Sequence, residues 1–280
     1  MDDARIVRVA LVSLSLIVAF GAIPCGAEGG RLALSRAYEH EIRESFDWDA
    51  DMIEGNCMTV LGGERGFSLP IGAAEWTLDQ GFSAEPYHDP GLSVRVYDGT
   101  LRIEGVTSPE LTRLLREECW TAFRTGVRSG EFVRLTDDFE VVVVVDIREL
   151  TGRFRIQLLP TAWNRVRSSW VDITVACARS GFQGSWWADL VDEDVYCSLV
   201  PDDRLVPWVI GNGDHTFALR YVRQTGDLSF RLDDTPVGTC TISPPADVDR
   251  LRLLINVETT PPEVGPLDVG ISEVLIGWDE

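Results

Sequence analysis

Lysine is absent from this chain; all 25 basic residues are arginine. That removes Schiff-base chemistry, the lysine of a phosphate-binding loop and any lysine general base. A GC-rich genome accounts for the missing residue, and adaptation to high salt is an alternative consistent with the acidity described next. Basic charge is in deficit as a whole, because 45 acidic residues against 25 basic ones leave −20 at pH 7. A field of that sign repels phosphate backbones and anionic lipid surfaces, which argues against a nucleic-acid partner. Histidine is scarce: His40, His88 and His215 are scattered, and with no C-x-x-C anywhere a zinc site lacks its ligand spacing. No N-x-Ser/Thr sequon occurs, in agreement with a bacterial source, and there is no internal repeat or low-complexity tract.

Long apolar runs are also missing, apart from one at the N-terminus. Arg5 and Arg8 precede an apolar stretch from Val9 to Pro24, and Cys25-Gly26-Ala27 offers the small residues a signal peptidase reads. Residues 1–27 are therefore expected to be an export signal, which places the mature protein in a secreted, periplasmic or cell-surface setting. Pro24 stands where a lipobox carries a small residue, which disfavours lipidation of Cys25. Nothing after it is expected to span a membrane, since even Val141–Val145 is bracketed by Asp137-Asp138 and Asp146.

Without Cys25, five cysteines remain, an odd number that leaves at least one thiol unpaired within a monomer. Cys177 and Cys197 each lie in a strand-like run, Ile173–Ala178 and Val195–Val200. The 19 residues between them suffice to bring neighbouring strands together, so a bridge between the two is expected. Closing that loop contributes about 3 kcal/mol. Cys240 reads as a core cysteine on a strand.

What the chain does have is alternation. In His215–Arg223 the inward set is Phe217, Leu219 and Tyr221; after Gln224-Thr225-Gly226, Asp227–Leu232 puts Leu228, Phe230 and Leu232 on one face. Arg250–Val257 and Leu267–Trp278 continue in the same style, and period two means strands. Leu92–Tyr97 and Thr100–Glu104 form a hairpin about Asp98-Gly99. Further strands are expected at Glu75–Gln80, Glu131–Leu135, Phe139–Ile147, Arg153–Pro160, Val171–Ala178 and Val195–Val200. Two helices are expected as well. One covers Arg31–Asp47, with Leu32, Leu34, Ala37 and Tyr38 on a single side; the other opens at Ser108-Pro109-Glu110 and runs to about Phe123. The expected architecture is an all-β, two-sheet antiparallel jelly-roll sandwich with a short helical N-terminal segment and one inserted helix. Residues 28–72 form a partly helical accessory segment, and residues 73–280 form the sandwich domain.

Several stretches carry a family resemblance: Trp76 through Gly81, Val96-Tyr97-Asp98-Gly99-Thr100-Leu101-Arg102-Ile103, Phe139-Glu140-Val141 with Asp146, His215 through Tyr221 with Gly226 through Phe230 and Asp233-Asp234, and Ile271 through Ile276. Over about residues 73–280 they resemble the concanavalin A-like lectin/glucanase superfamily, the laminin-G-type jelly roll. The resemblance implies that first and last strands share a sheet, with Trp76 and Trp278 in neighbouring parts of the sandwich. Such folds include lectins, carbohydrate-binding modules, glycoside hydrolases, polysaccharide lyases and adhesive modules, so fold alone does not choose a function.

A glucanase of this kind carries two glutamates on one strand with carboxylates about 5–5.5 Å apart. Glu39-His40-Glu41-Ile42-Arg43-Glu44 comes nearest, and a solvated helix face explains it. Asp192-Glu193-Asp194 reads as a loop, and neither it nor Asp233-Asp234 shows the alternating oxygen ligands of a calcium site, so no metal or cofactor is expected. Lyases of this fold use arginine, glutamine, histidine and tyrosine; Arg155, Gln157, His215 and Tyr221 supply the types, although Tyr221 belongs to the inward alternation. Tryptophan is the excess that points to function. Trp163, Trp170, Trp186, Trp187 and Trp208 fall in a 46-residue stretch among Gly, Ser, Asn and Asp. Indole faces stack on pyranose rings, while core packing is the ordinary fate of such side chains. Trp186-Trp187 stands apart because adjacent strand residues face opposite ways. The leading expectation is an exported, non-catalytic module that binds a polysaccharide or other glycan through these tryptophans. A hydrolase or lyase, and a structural or adhesive module, are the alternatives.

Overall fold

In the computed structural model the alternating runs become strands of two antiparallel sheets. The structure describes residues 32–48, 50–53, 72–78, 89, 91–108, 123–130, 137–160, 171–177, 182–189, 196–198, 208–241, 250–259 and 264–279. Residues Ala33–Glu280 form one compact unit; the unit before it, Met1–Leu32, lies outside the described residues except for Leu32, and the expected export signal lies there.

Strands are numbered in chain order. The nine-stranded sheet runs β15 (Thr235–Thr241), β14 (Asp227–Leu232), β13 (Gly213–Val222), β7 (Phe139–Glu149), β17 (Pro266–Trp278), β5 (Thr100–Val106), β4 (Leu92–Tyr97) and β2 (Ala50–Ile53), with β1 (His40–Glu44) also on β17. The eight-stranded sheet runs β11 (Tyr196–Ser198), β10 (Phe182–Asp189), β9 (Val171–Cys177), β8 (Arg153–Pro160), β16 (Leu251–Thr259), β6 (Phe123–Arg128) and β3 (Thr77–Leu78), with β12 (Trp208–Ile210) also on β10. Period-two burial is plain in β14, where Leu228, Phe230 and Leu232 are buried and the residues between them are not. Phe217, Leu219 and Phe230 share one core with Phe154, Ile156 and Leu253 from the other sheet. The layers touch directly: the Phe217 ring meets Phe154 edge-on at 6.4 Å and stacks beside Phe230 at 6.3 Å.

Turn chemistry sets the registers. Asp98 and Gly99 take φ of 50° and 68°, and Asp233 and Asp234 take 49° and 63°; left-handed pairs of this kind match the strand twist in tight hairpins. Accordingly Tyr97 pairs with Thr100, and Leu232 with Thr235.

Both helix expectations need revision. Residues 32–48 contain no helix; within the expected helix Arg31–Asp47, His40–Glu44 is a strand that pairs with the end of β17, Ile42 opposite Ile276. Backbone pairing with an open strand edge outweighs the weak 3.6-residue pattern of Leu32, Leu34, Ala37 and Tyr38. The stretch before it lies extended across the sheet: Ser35 donates to Glu140 from both its amide (2.8 Å) and its hydroxyl (2.7 Å), and Arg36 pairs with Asp138 at 2.9 Å. A side chain at Gly277 would overlap Leu34 and Tyr38, so this segment rests on bare backbone. The inserted helix from Ser108 lies outside the described residues at 109–122, and Phe123, its expected end, instead opens β6. The strand expected at Glu131–Leu135 also lies outside them. The last strand has β1 as its neighbour; Trp76 belongs beside β3, in the other sheet, while His40 stacks on Trp278 at 5.2 Å.

Asp89 closes one end of the core. It is fully buried, and its carboxylate accepts from the Gly91 amide at 2.8 Å, the Ser108 amide at 3.1 Å and the Thr259 hydroxyl at 3.4 Å. Burial nonetheless holds its pKa above the ordinary aspartate value, the hydrogen bonds offsetting only part of the desolvation. The sign follows from linkage: as pH rises past the ordinary value the unfolded chain ionises first, so stability is lost from there up through the raised folded value. Asp89→Asn keeps an acceptor for both amides and removes that loss. Urea midpoints followed across mildly acid pH are expected to fall less steeply for Asp89→Asn than for the parent; parallel curves would remove Asp89 as the cause.

Candidate functional site

The outer face of the eight-stranded sheet carries polar side chains where the inner face carries the core. On β16 the inward set is Leu251, Leu253, Ile255 and Val257, which leaves Arg252, Leu254, Asn256 and Glu258 on the other side. On β8 the inward set is Phe154, Ile156 and Leu158, which leaves Arg153, Arg155 and Gln157 outward. Arg155 pairs in register with Asn256, Gln157 with Leu254 and Arg153 with Glu258.

Two diagonal contacts tie this row together. Asn256 Nδ2 donates to Gln157 Oε1 at 3.2 Å, and Arg155 Nη1 donates to Glu258 Oε2 at 2.5 Å. Although they belong to the outward face, Asn256, Gln157 and Glu258 are buried, at 0%, 2% and 8% exposure, so their groups are held in fixed geometry. At the flank, Arg128 of β6 pairs with Thr77 of β3 and donates to its hydroxyl at 3.1 Å. The same rows continue across β9 and β10: Gln157 pairs with Asp172, which pairs with Trp187, and Arg155 pairs with Thr174, which pairs with Ser185.

Chemically, the described part of this face is a set of donors and acceptors held ready for hydrogen bonding. Glu258 is its only described carboxylate, and Arg155 neutralises it, so among the described residues no pair of carboxylates is assembled for acid–base work. The glutamates of Glu39–Glu44 do not make such a pair either. They stand on a strand and not on the expected helix, but Glu41 is exposed while Glu44 is buried, its carboxylate accepting from the Phe46 and Ala74 amides and the Trp48 indole. The lyase-like set is dispersed. Arg155 and Gln157 lie on the outer face of one sheet, whereas Tyr221 is in the core and His215 lies at the end of β13 in the other sheet, held by Asp233 at 2.8 Å and the Gly211 carbonyl at 3.0 Å.

Of the tryptophans, Trp163 and Trp170 lie outside the described residues. Trp186 pairs with Ile173, and Trp208 with Gly184 two residues earlier on β10, so both positions share the face of a core residue. Trp187, opposite Asp172 and Ser198, takes the other face, that of Gln157 and Asn256. Asn256 and Glu258 escape a reading that follows only inward alternation; the signal was present in the complementary set of the same run.

The expected bridge between Cys177 and Cys197 is not supported by the register. Cys177 pairs with Phe182 and Cys197 with Ala188, on opposite sides of β10. Six residues along a strand is about 20 Å, against the about 4.4–6.8 Å between Cα atoms in a disulfide. Both cysteines do lie in strands, but β10 intervenes between them. Cys240 is half-buried on β15 and packs against the core.

Among the described residues no helix is long and apolar enough to cross a membrane, and no group of metal-binding side chains is found. No family model matches the sequence. No curated protein matches it either. Solved structures do resemble it. A mutant of SCLam, a non-specific endo-β-1,3(4)-glucanase of family GH16, superposes with a TM-score of 0.55 at 13% identity, covering 89% of this chain and 97% of the glucanase. A structure from work on endo-acting O-glycanases, which human gut microbiota express to initiate mucin breakdown, gives 0.52 at 12% identity, covering 86% and 99%. At such identities the likeness establishes architecture, and the architecture is the concanavalin A-like lectin/glucanase jelly roll.

Proposed function

We propose that this chain is an exported, non-catalytic glycan-recognition module, and that the outer face of the eight-stranded sheet is its binding surface. The observation that carries this reading is the row of buried hydrogen-bonding side chains, Arg155, Gln157, Asn256 and Glu258, continuing in register to the Trp187 position. Sugars present hydroxyls around an apolar ring face, and such a row beside an aromatic meets both needs. Structural relatives that act on glucans and mucin glycans support the substrate class. The export signal read at residues 1–27 supports an extracellular encounter with it. An adhesive module receives less support, since the exposed large hydrophobics among the described residues are only Tyr97, Val106 and Val264.

Trp187 and Trp186 provide the test. Trp187→Ala is expected to weaken retention on the bound polysaccharide by roughly tenfold or more, as loss of a central aromatic contact does. Trp186→Ala, at a position sharing the face of Ile173, is expected to lower the unfolding midpoint instead. A glycan array and polysaccharide pull-down in which the parent binds nothing, or in which Trp187→Ala binds like the parent, would end this reading.

One observation favours a hydrolase as the second reading. Asp172 pairs with Trp187, and Asp189 lies two residues further along β10, which makes the two aspartates diagonal neighbours on one face. Their Cα atoms are then about 7–8 Å apart. Release of reducing ends from a bound polysaccharide, abolished by Asp172→Asn or Asp189→Asn, would decide for catalysis; binding without release decides for the module.

A further inference from the structure

We infer that the glycan bound at this surface is acidic, carrying carboxylate or sulfate groups; the inference rests on the reading of the eight-stranded sheet as the binding surface. Across the chain acidic residues outnumber basic ones, 45 to 25. On this one face the balance is inverted. Arg128, Arg153, Arg155 and Arg252 occupy outward positions with described side chains, and Glu258 is the only described carboxylate among them. Positions known from backbone register alone add Arg124 on one side of the count and Asp172 and Asp189 on the other, five arginines to three acids.

The opposite face of the sandwich shows that this is not simply how arginine is distributed in the fold. On the nine-stranded sheet the arginines are matched by carboxylates: Arg102 with Asp268 at 2.6 Å, Arg148 with Asp146 at 2.7 Å, Arg231 with Asp234 at 3.0 Å, and Arg43 with Glu273. On the eight-stranded sheet Arg155 has Glu258, whereas Arg153, opposite that same glutamate, is exposed and forms no ion pair with a described residue.

The spread of these groups favours a polymer over a small anion. Arg128 on β6 and Arg155 on β8 are two strands apart, about 10 Å, which distributes positive charge along a chain of sugars. Guanidinium presents a planar fork of donors that suits carboxylate and sulfate oxygens, and the fixed amides of Gln157 and Asn256 lie between the arginines. In a molecule of net charge −20 such a face is also the surface from which a polyanion is least repelled.

Matched pairs of polysaccharides test this with the full-length chain. Polygalacturonate is compared with methyl-esterified pectin, and dextran sulfate with dextran; the first pair reads carboxylate and the second sulfate. At least one charged member is expected to bind about tenfold more tightly than its neutral counterpart, with affinity falling severalfold between about 50 and about 300 mM salt. Arg153→Ala is expected to cost about tenfold on the charged polymer and nothing on a neutral one, with the unfolding midpoint unchanged because the side chain is exposed. Equal binding within both pairs, or charged-polymer binding indifferent to Arg153→Ala, overturns the inference and leaves glycan recognition standing. Binding of neutral glycans alone on an array does the same. Absence of any glycan binding removes the parent reading as well. Equal affinity for an oligodeoxythymidylate overturns the inference in favour of unspecific polyanion capture.

Discussion

Glu44→Ala is expected to lower the unfolding free energy by on the order of 3–5 kcal/mol, because it leaves three buried donors without their acceptor. The carboxylate accepts from the Phe46 amide at 3.1 Å, the Trp48 indole at 3.0 Å and the Ala74 amide at 3.2 Å, while Glu44 itself is 2% exposed. These contacts tie together three stretches distant in function: the end of β1, the turn after it, and the entry to β3. The turn depends on the carboxylate in a further way. Phe46 has φ of 51°, a left-handed conformation that costs a bulky residue about 1–3 kcal/mol, and the Glu44 bond to its amide holds it there. In that geometry Phe46 stacks on Trp76 with ring centroids 6.1 Å apart. Gly72→Ala is expected to reproduce the loss, since Gly72 has φ of 74° and an added Cβ would overlap Glu44 Oε2. Glu41→Ala, at an exposed position on the same strand, serves as the control and is expected to stay within about 0.5 kcal/mol. Urea unfolding followed by tryptophan fluorescence reads all three. A Glu44→Ala midpoint equal to that of Glu41→Ala would show the carboxylate to be dispensable.

The same glutamate shows why part of this fold was hidden in the sequence. Strands with several inward apolar residues could be read directly: β13, β14, β16 and β17 lie where the alternation of Phe217, Leu228, Leu253 and Val269 with polar neighbours puts them. β1 has five residues, of which only Ile42 is apolar, and its buried end is charged. A strand whose inward position is a carboxylate satisfied by remote amides has no alternation to display; the information resides in Ala74 and Trp48, distant from it or irregular. β6 is concealed differently. Its sequence Phe123–Arg128 holds glycine and two arginines, because its outer side belongs to the polar face and Gly126 packs against the Asn256 backbone where no side chain fits. The cap-and-proline signal at Ser108-Pro109 then drew the expected helix across its first residue. At the candidate site Arg155 and Gln157 were visible as residues on one strand face, but Asn256 and Glu258 acquire meaning only once β16 lies beside β8. That adjacency is a long-range property: the two strands are about a hundred residues apart, and no local pattern announces which strands will be neighbours.

Phe217→Ala is expected to cost about 3–5 kcal/mol, the range for deleting a buried phenyl ring from a close-packed interior, and to do so by loosening one sheet from the other. Phe217 is 1% exposed and stands where the two layers interlock: its ring packs beside Phe230 of the neighbouring strand with planes 16° apart and meets Phe154 of the opposite sheet at 60°. Offset and edge-on pairs of this kind contribute about 0.5–1.5 kcal/mol beyond the area they bury. Because Phe154 is the inward neighbour of Arg155 on β8, the ring also supports the strand that carries the polar face. Phe217→Leu retains most of the volume and is expected to lose about half as much or less, whereas Val106→Ala, at a residue 57% exposed, is expected to change little. Chemical unfolding separates the three. If Phe217 and Phe154 act as one contact between sheets, the double variant Phe217→Ala/Phe154→Ala costs measurably less than the two single losses added together. Strict additivity would mean that the layers are held elsewhere, and the polar face would then be positioned without this pair.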